Sequence, residues 1–440
     1  MYSRRRFLRN ASAVPAAASL AAVTFNPSSL PHFVENLASF SGSPETIARD
    51  EEFWHEVQQS FTVDRSLVNL NNGGVSPAPS IVQKAMKAHL DYMNQAPVYT
   101  MWQILQPQAE GVRQRLAREF GASAEEIALT RNASEGLQIC QNGFDFEPGD
   151  EVLTTTQDYG RMINTFKQRE RRDGIVLKQF QIPIPAEDPD EIVRLFEQNI
   201  TPKTKAILMC HIINITGQIL PVKGVVQMAR KRGIPVIVDG AHSFAHFQFK
   251  HEDLDCDYFA TSLHKWLLAP IGTGMLYVRK NKIKDLWPMQ AATEARDEDI
   301  RKFEEIGTHP EANQIAISEA LTFHQGIGAA RKEARLRYLR DYWAERLLQH
   351  DRIRLNTSLK PEFSCCIGNV DIDGIDTSAV GRYMWDQHRI IITPIKHKEF
   401  EGARVTANVY TTMEELERFC DAMEFLADNG LPSKYITEGE

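Results

Sequence analysis

Residues 235–274 read PVIVDGAHSFAHFQFKHEDLDCDYFATSLHKWLLAPIGTG. The stretch opens with Val236-Ile237-Val238, apolar and β-branched, and stops on Asp239. A second run, Asp257 to Ser262, stops just before His264-Lys265. Short runs of this kind read as buried strands, and both deliver charged side chains where the apolar pattern ends. In open α/β sheets ligands bind at that edge, the carboxyl ends of the strands. An acid and a lysine on neighbouring strand ends suit one chemistry. The amine can form a Schiff base with an aldehyde cofactor while the carboxylate keeps a pyridine nitrogen protonated, and pyridoxal phosphate is such a cofactor. Taken alone, either Asp239 or Lys265 reads as half of an ion pair at a sheet rim. Their surroundings reverse that reading, because Ser262, His264 and Gly272-Thr273-Gly274 supply the hydroxyl, imidazole and glycine backbone that hold a phosphate.

Outward from this stretch the chain alternates between strand and helix patterns. Strands are expected over 126–130, 151–155, 175–180 and 205–211, and helices over 135–142, 189–199 and 222–232. That alternation implies a largely parallel sheet with helices on both faces. Arg131-Asn132-Ala133-Ser134 opens the helix at 135, and small residues at a helix N-terminus make an anion site, so Ala133 and Ser134 join the phosphate candidates. Asn214, just past a strand end, is a candidate contact for the cofactor ring or the substrate. Further upstream, helices are expected over 44–58, 80–94 and 108–120, the last closed by Gly121. After Phe323 the composition shifts. A long arginine-rich helix, 330–349, reads as a solvated face. Short strands FSCCIGNV, RIIIT and ARVTANV then alternate with helices over 377–388 and 414–428, and Thr412 with Glu415 forms a capping box. The expected division is a signal segment 1–30, an N-terminal arm 31–78 contributing to the small domain, a large cofactor-binding domain 79–323, and a small α+β domain 324–440.

VDGAHS, TSLHKW and GTG together resemble the fold-type I pyridoxal phosphate enzymes of the aminotransferase class V family. Within it, LNNGGVSP, MWQILQPQ, TRNASEGL, TTTQDYGRM and INITGQILP resemble the isopenicillin N epimerase-like branch. The resemblance runs from about Asn69 to Cys420. It implies an α/β large domain with a mainly parallel seven-stranded sheet, a small C-terminal domain closing over the site, and pyridoxal 5'-phosphate bound through Lys265. It further implies substrate contacts from Asn72 and from Arg404, whose guanidinium fork matches a carboxylate. Tyr159, with Gln157 as a weaker alternative, would lie over the pyridine ring, and His242 would hydrogen-bond the cofactor's phenolic oxygen. Thr308 would reach the phosphate in the partner subunit, which makes a homodimer with shared sites. Such an enzyme works at the α-carbon of an amino-acid-like substrate. Epimerisation is the expected reaction, and β-elimination by a C–S lyase or cysteine desulfurase-like chemistry is the alternative. The loop Thr393 to Gly402 lacks the nucleophilic cysteine that desulfurases carry there. Tyr159, His242 and His397 are candidates for a second proton donor.

Composition narrows the classes further. With 440 residues, 42% hydrophobic and 25% charged, the chain is an ordinary globular protein long enough for two domains. A net charge of -8 argues against a nucleic-acid partner. Ser3-Arg4-Arg5-Arg6-Phe7-Leu8-Arg9 before the Ala-rich run Ala11 to Phe25 reads as a Tat export signal, too short and broken to span a membrane stably. The six cysteines show no C-x-x-C spacing, so no metal site is expected.

Overall fold

The computed structural model of the chain describes residues 29–436. The export signal read over 1–30 lies outside these residues but for its last two positions. After helices near the N-terminus comes β1 (Val68–Asn69), then the strands of the large sheet. These are β2 (Ile127–Thr130), β3 (Glu151–Thr155), β4 (Val176–Phe180), β5 (Thr204–Cys210), β6 (Val236–Asp239), β7 (Tyr258–Ser262) and β8 (Gly274–Val278). Their spatial order is β2-β8-β7-β6-β5-β3-β4. β6 pairs in parallel with β5 and β7, and β3 with β4 and β5. β8 runs antiparallel to both its neighbours, β2 and β7. The sheet is thus mixed but mainly parallel, as the sequence implied. Because β8 alone is reversed, the carboxyl ends of β2, β3, β5, β6 and β7 share one edge.

β6 and β7 are buried along their whole length and β5 at every residue but Lys205, which is why they read as continuous apolar runs rather than alternating ones. Helix Ala133–Gly143 lies on β7, where a Cβ on Gly136 would come within 2.8 Å of the Ala260 Cβ. The C-terminal part is built on β9 (Ile353–Leu355), β10 (Ile367–Ile372), β11 (Ile390–Ile391), β12 (Thr393–Lys396) and β13 (Glu401–Thr406). Four of them form an antiparallel sheet in the order β12-β13-β10-β9, and β11 pairs in parallel with β1. Helices Thr377–His388 and Met413–Asn429 complete this part, the second opened by the Thr412/Glu415 capping box.

Several elements differ from the sequence reading. Residues 44–58 form two helices, Pro44–Ala48 and Glu51–Gln58, because Asp50 caps the second by accepting from the Glu52 and Phe53 N–H groups. The helix expected from 135 begins at Ala133, with the Asn132 side chain as its cap. Gly272-Thr273-Gly274 leads into β8 rather than forming a free cradle. A Cβ on Gly274 would stand 2.6 Å from the Asn132 Cα, so glycine is required for the strand to pass under the helix cap. Residues 393–402 form most of a β-hairpin, not a loop.

The arginine-rich helix, Ala329–Leu347, is the largest departure. Lys332, Arg335 and Arg340 are buried rather than solvated. Arg335 donates to the Ala48 carbonyl at 2.9 Å, pairs with Glu51 and lies over the Trp54 ring. Arg340 donates to the Leu359 carbonyl at 3.0 Å, and Lys332 donates to the Trp266 carbonyl. Aliphatic stems pack against the core while carbonyls of loops and of the end of helix Pro44–Ala48 receive the charged heads, and composition alone cannot reveal those acceptors. Among the described residues no helix is long and apolar enough to cross a membrane.

Two glycine substitutions separate close packing from chain entropy. Gly274→Ala is expected to lower stability by about 1–3 kcal/mol, because its neighbour is backbone that cannot swing away. Gly111→Ala, where a Cβ meets nothing within 4 Å on an exposed helical turn, is expected to raise stability by about 0.5–1 kcal/mol. Urea unfolding midpoints of the two variants check both signs.

Candidate active site

The shared strand edge carries a cluster of five polar side chains delivered by four strand ends. Tyr159 follows β3, Asn214 follows β5, Asp239 ends β6, His242 lies in the turn after it, and Lys265 follows β7. With Gly73, Gly74, Cys210 and Arg404 they line a cavity of about 180 Å³. That volume lies below the roughly 300–1,000 Å³ typical of drug-sized ligands, so the cavity takes a small molecule.

Burial controls the charges. Burial pushes Asp239 up to about 6, opposed by the Ala241 N–H it accepts at 2.9 Å and by Lys265, with Asp158 adding to the rise. It pushes Lys265 down to about 8, with Asp239 favouring the ammonium and Arg404 opposing it. His242 is held well below its usual range by burial first, then by Lys265 and Arg404. Its Nε2 lies 3.1 Å from the Lys265 Nζ. With the ring neutral and Nε2 accepting from the amine, Nδ1 carries the hydrogen. Arg404 on β13 donates from Nη1 to the Asn214 carbonyl at 3.1 Å and from Nη2 to the Asn71 Oδ1 at 2.7 Å.

Three buried polar atoms of these residues have no protein partner: His242 Nδ1, Asn214 Oδ1 and Arg404 Nε. Buried polar groups are almost always satisfied. Eight further atoms among the described residues also lack partners; what sets these three apart is that their residues line one cavity, as a site for a polar ligand would have it.

A second cluster occupies the same edge over the ends of β2 and β7. The Ala133 N–H donates to the Ser262 Oγ at 3.0 Å, tying the helix N-terminus to the end of β7. Ser134 lies in the first turn of that helix. His264 lies 3.0 Å through Nδ1 from the Thr273 carbonyl. Ala133, Ser134, Ser262 and His264 thus gather around the N-terminus of that helix, outside the lining of the cavity itself.

The segment around Lys265 is firmly held. Trp266 stacks on His246 with ring centroids 3.6 Å apart and planes 2° from parallel. Both His246 nitrogens are used, Nδ1 at 2.8 Å from the His242 carbonyl and Nε2 accepting from the Cys366 N–H at 3.0 Å. Leu268, fully buried, adopts a left-handed φ of 64°, a strained conformation for a branched residue that the surrounding packing enforces.

Some residues singled out from sequence lie elsewhere. Asn72 is buried away from the cavity, donating to the Asn69 and Thr406 carbonyls and accepting from the Tyr410 hydroxyl. Its neighbour Asn71 is the one that reaches Arg404. Gln157 donates to the Ile182 carbonyl and to Glu399, outside the cavity. His397 Nε2 lies 3.0 Å from the Thr156 carbonyl, also outside it. Thr308 is exposed and lines a separate cavity with Trp102 and Arg301. Asp158 was missed. It accepts from the Thr154 and Thr155 hydroxyls, the Thr155 N–H and the Cys210 N–H, locking the ends of β3 and β5 together. Its position just after a strand end, like that of Asp239, was the available signal.

Comparison with known proteins places this arrangement. The family model for aminotransferase class-V matches residues 68–419. The chain is 29% identical to the isopenicillin N epimerase of Streptomyces clavuligerus, over 85% of this chain and 98% of that enzyme. It is 26% identical to a probable cysteine desulfurase of Vibrio cholerae, over 84% of this chain and 96% of the relative. Among solved structures, a C-DES variant with glycine covalently linked to its pyridoxal phosphate cofactor superimposes with a TM-score of 0.75 at 22% identity. That match covers 83% of this chain and 98% of the other.

The electrostatics can be titrated in cofactor-free protein. Only the neutral amine acylates, so labelling of Lys265 should fall about tenfold per pH unit below a midpoint near 8. Arg404→Met, which removes a neighbouring positive charge, should raise that midpoint, and Asp239→Asn, which removes the opposing carboxylate, should lower it. Mass-spectrometric mapping of acylation against pH reads all three.

Proposed function

The chain belongs to the aminotransferase class-V family, and from that premise we propose a pyridoxal phosphate enzyme that moves the α-proton of an amino-acid substrate, as an epimerase does. The observation that carries the reading is the buried Lys265, brought down to about 8, in a cavity whose lining residues include three with unpartnered polar atoms. The cavity residues fit the cofactor. Lys265 would hold it covalently, Asp239 would pair with its ring nitrogen, and Tyr159, Asn214 and His242 would contact its ring. Ala133, Ser134, Ser262 and His264 would take its phosphate. Bound there, pyridoxal phosphate supplies an electron sink for charge developing at the substrate α-carbon.

The chain's own residues do the rest. Arg404 grips the substrate carboxylate, and Asn71 and the Asn214 carbonyl hold the guanidinium in place. Lys265, released to the substrate side, takes and returns the α-proton as a general base with a pKa near the working pH. Epimerisation needs a proton delivered to the opposite face. His242 stands against Lys265 and so on its side, and His397 lies outside the cavity. Tyr159 is therefore assigned as the second proton carrier.

Cysteine chemistry speaks for this reading over desulfuration. All six cysteines are buried. Cys210 reaches the cavity, but burial and then the Asp158 and Asp239 carboxylates hold its thiol well above the usual range. A protonated thiol is a poor nucleophile toward a substrate sulfur. The proposal includes a homodimer, supported by Thr308 and the exposed Trp102 at one cavity with exposed Val98 and Tyr99 nearby in the chain. It also includes export, carried by the twin arginines before an Ala-rich run.

The holoenzyme should absorb in the visible, and borohydride should abolish the band. Lys265→Ala should lack it. Incubated with L-amino acids in D₂O, the wild type should exchange the α-proton and invert the centre, whereas Tyr159→Phe should exchange without inversion. Release of pyruvate, ammonia and cysteine persulfide from cystine would instead identify a C–S lyase. A protein that stays colourless with added cofactor would overturn the reading.

A further inference from the structure

The hairpin of β12 and β13 touches the cavity wall at both its ends. At its base Thr393 pairs with Arg404 in the strand register, and the Thr393 Oγ1 accepts from Arg404 Nη2 at 3.3 Å. At its tip, residues 397–400 turn against the segment after β3. There the Thr156 hydroxyl donates to the Glu399 Oε1 at 2.5 Å, and the Gln157 Nε2 donates to the Glu399 Oε2 at 3.1 Å. Both donors are buried, and Tyr159 follows two residues later. The tip is thus fastened to the segment that presents Tyr159, and the base carries Arg404.

Between these ends the hairpin is stiff. Four register pairs join β12 to β13, so the base and tip stand roughly 10–13 Å apart at about 3.3 Å per residue. Pro394 sits on the edge strand, where it costs no ladder bond. It packs so closely on helix Thr377–His388 that a Cβ on Gly381 would come within 2.4 Å of its ring. The C-terminal part therefore sets the base of the hairpin. Two side chains of the tip meet the segment after β3: His397 Nε2 lies 3.0 Å from the Thr156 carbonyl, and Glu399 accepts from both Thr156 and Gln157, a carboxylate being a stronger acceptor than a neutral group.

We infer that Glu399 is a positioning residue: its carboxylate clasps the hairpin to Thr156 and Gln157, making the hairpin a rigid spacer that fixes Tyr159 relative to Arg404. The inference rests on the assignment of Arg404 to the substrate carboxylate and of Tyr159 to the cavity wall. A spacer of fixed length selects substrates whose carboxylate and α-carbon fit the Arg404–Tyr159 interval. Loss of the clasp weakens binding while leaving Lys265 and Asp239 in place.

Two readouts test this on the holoenzyme, with Glu399→Ala, Glu399→Gln, Thr156→Val and the Glu399→Ala/Thr156→Val double variant. Tryptic cleavage at Lys396 and Lys398 reports the clasp and needs no bound cofactor. It should accelerate several-fold in Glu399→Ala and less in Glu399→Gln, which keeps one acceptor. Exchange of the α-proton of L-alanine reports the spacer. The half-saturating concentration should rise about tenfold in Glu399→Ala, the lower end for lost hydrogen bonds to a charged group, with the saturated rate within about twofold of wild type. The double variant should be no worse than either single one. Cleavage at the wild-type rate in Glu399→Ala would overturn the clasp. Faster cleavage with an unchanged half-saturating concentration, or a loss confined to the saturated rate, would overturn the spacer. A wild type that neither absorbs in the visible nor exchanges would fail the proposed function, and the cleavage comparison would still decide the clasp.

Discussion

An amine withdrawn from water at the end of a sheet is costly to keep charged, and a carboxylate one strand away is costly to keep ionised without it. Lys265 and Asp239 stand in that relation, one brought down to about 8 and the other up to about 6. Neither residue's neighbours can change without shifting the other. Much of the surrounding structure serves to hold the pair. The strained Leu268, the His246–Trp266 stack and the Lys332 hydrogen bond to the Trp266 carbonyl all act on the few residues that follow Lys265.

These supports come from both parts of the molecule. Lys332 belongs to the long helix after residue 328, and Cys366, which donates to His246, directly precedes β10. Arg404 is on β13, yet its partners are Asn71 and Asn214. The cavity is thus a product of the junction between the large sheet and the C-terminal part. Interactions across that junction act on the chemistry at a distance, because packed interiors transmit displacement rather than absorb it.

How buried polar groups find their partners explains the remaining oddities. The arginine-rich helix sends Arg335 to the carbonyl that ends helix Pro44–Ala48 and Arg340 to the Leu359 carbonyl, with Glu51 and Asp341 beside them. Burying a cation is tolerable when such acceptors surround it. In the cavity the pattern reverses, and His242 Nδ1, Asn214 Oδ1 and Arg404 Nε lack partners. Other buried atoms lack partners too, Arg335 Nε among them, but these three belong to residues that line one cavity, which points to something that enters.

Local pattern was enough to determine the mainly parallel sheet, most of its strand and helix spans, and the pairing of Asp239 with Lys265 at one edge. Runs of β-branched residues, helix caps and the residue that ends each strand are all written within a few positions of one another. Helix Pro189–Asn199, strand Glu151–Thr155 and helix Thr377–His388 fall where their sequences place them. The tertiary structure alone decided that Asn71 rather than Asn72 meets Arg404, and that Gln157 serves Glu399. It alone decided that β8 reverses under the Asn132 cap and that cations of a seemingly solvated helix are buried. Those outcomes hinge on contacts such as Arg404 with Asn71, 333 positions apart. A side chain's partner at that range depends on how whole elements pack, and nothing in the adjacent sequence encodes it.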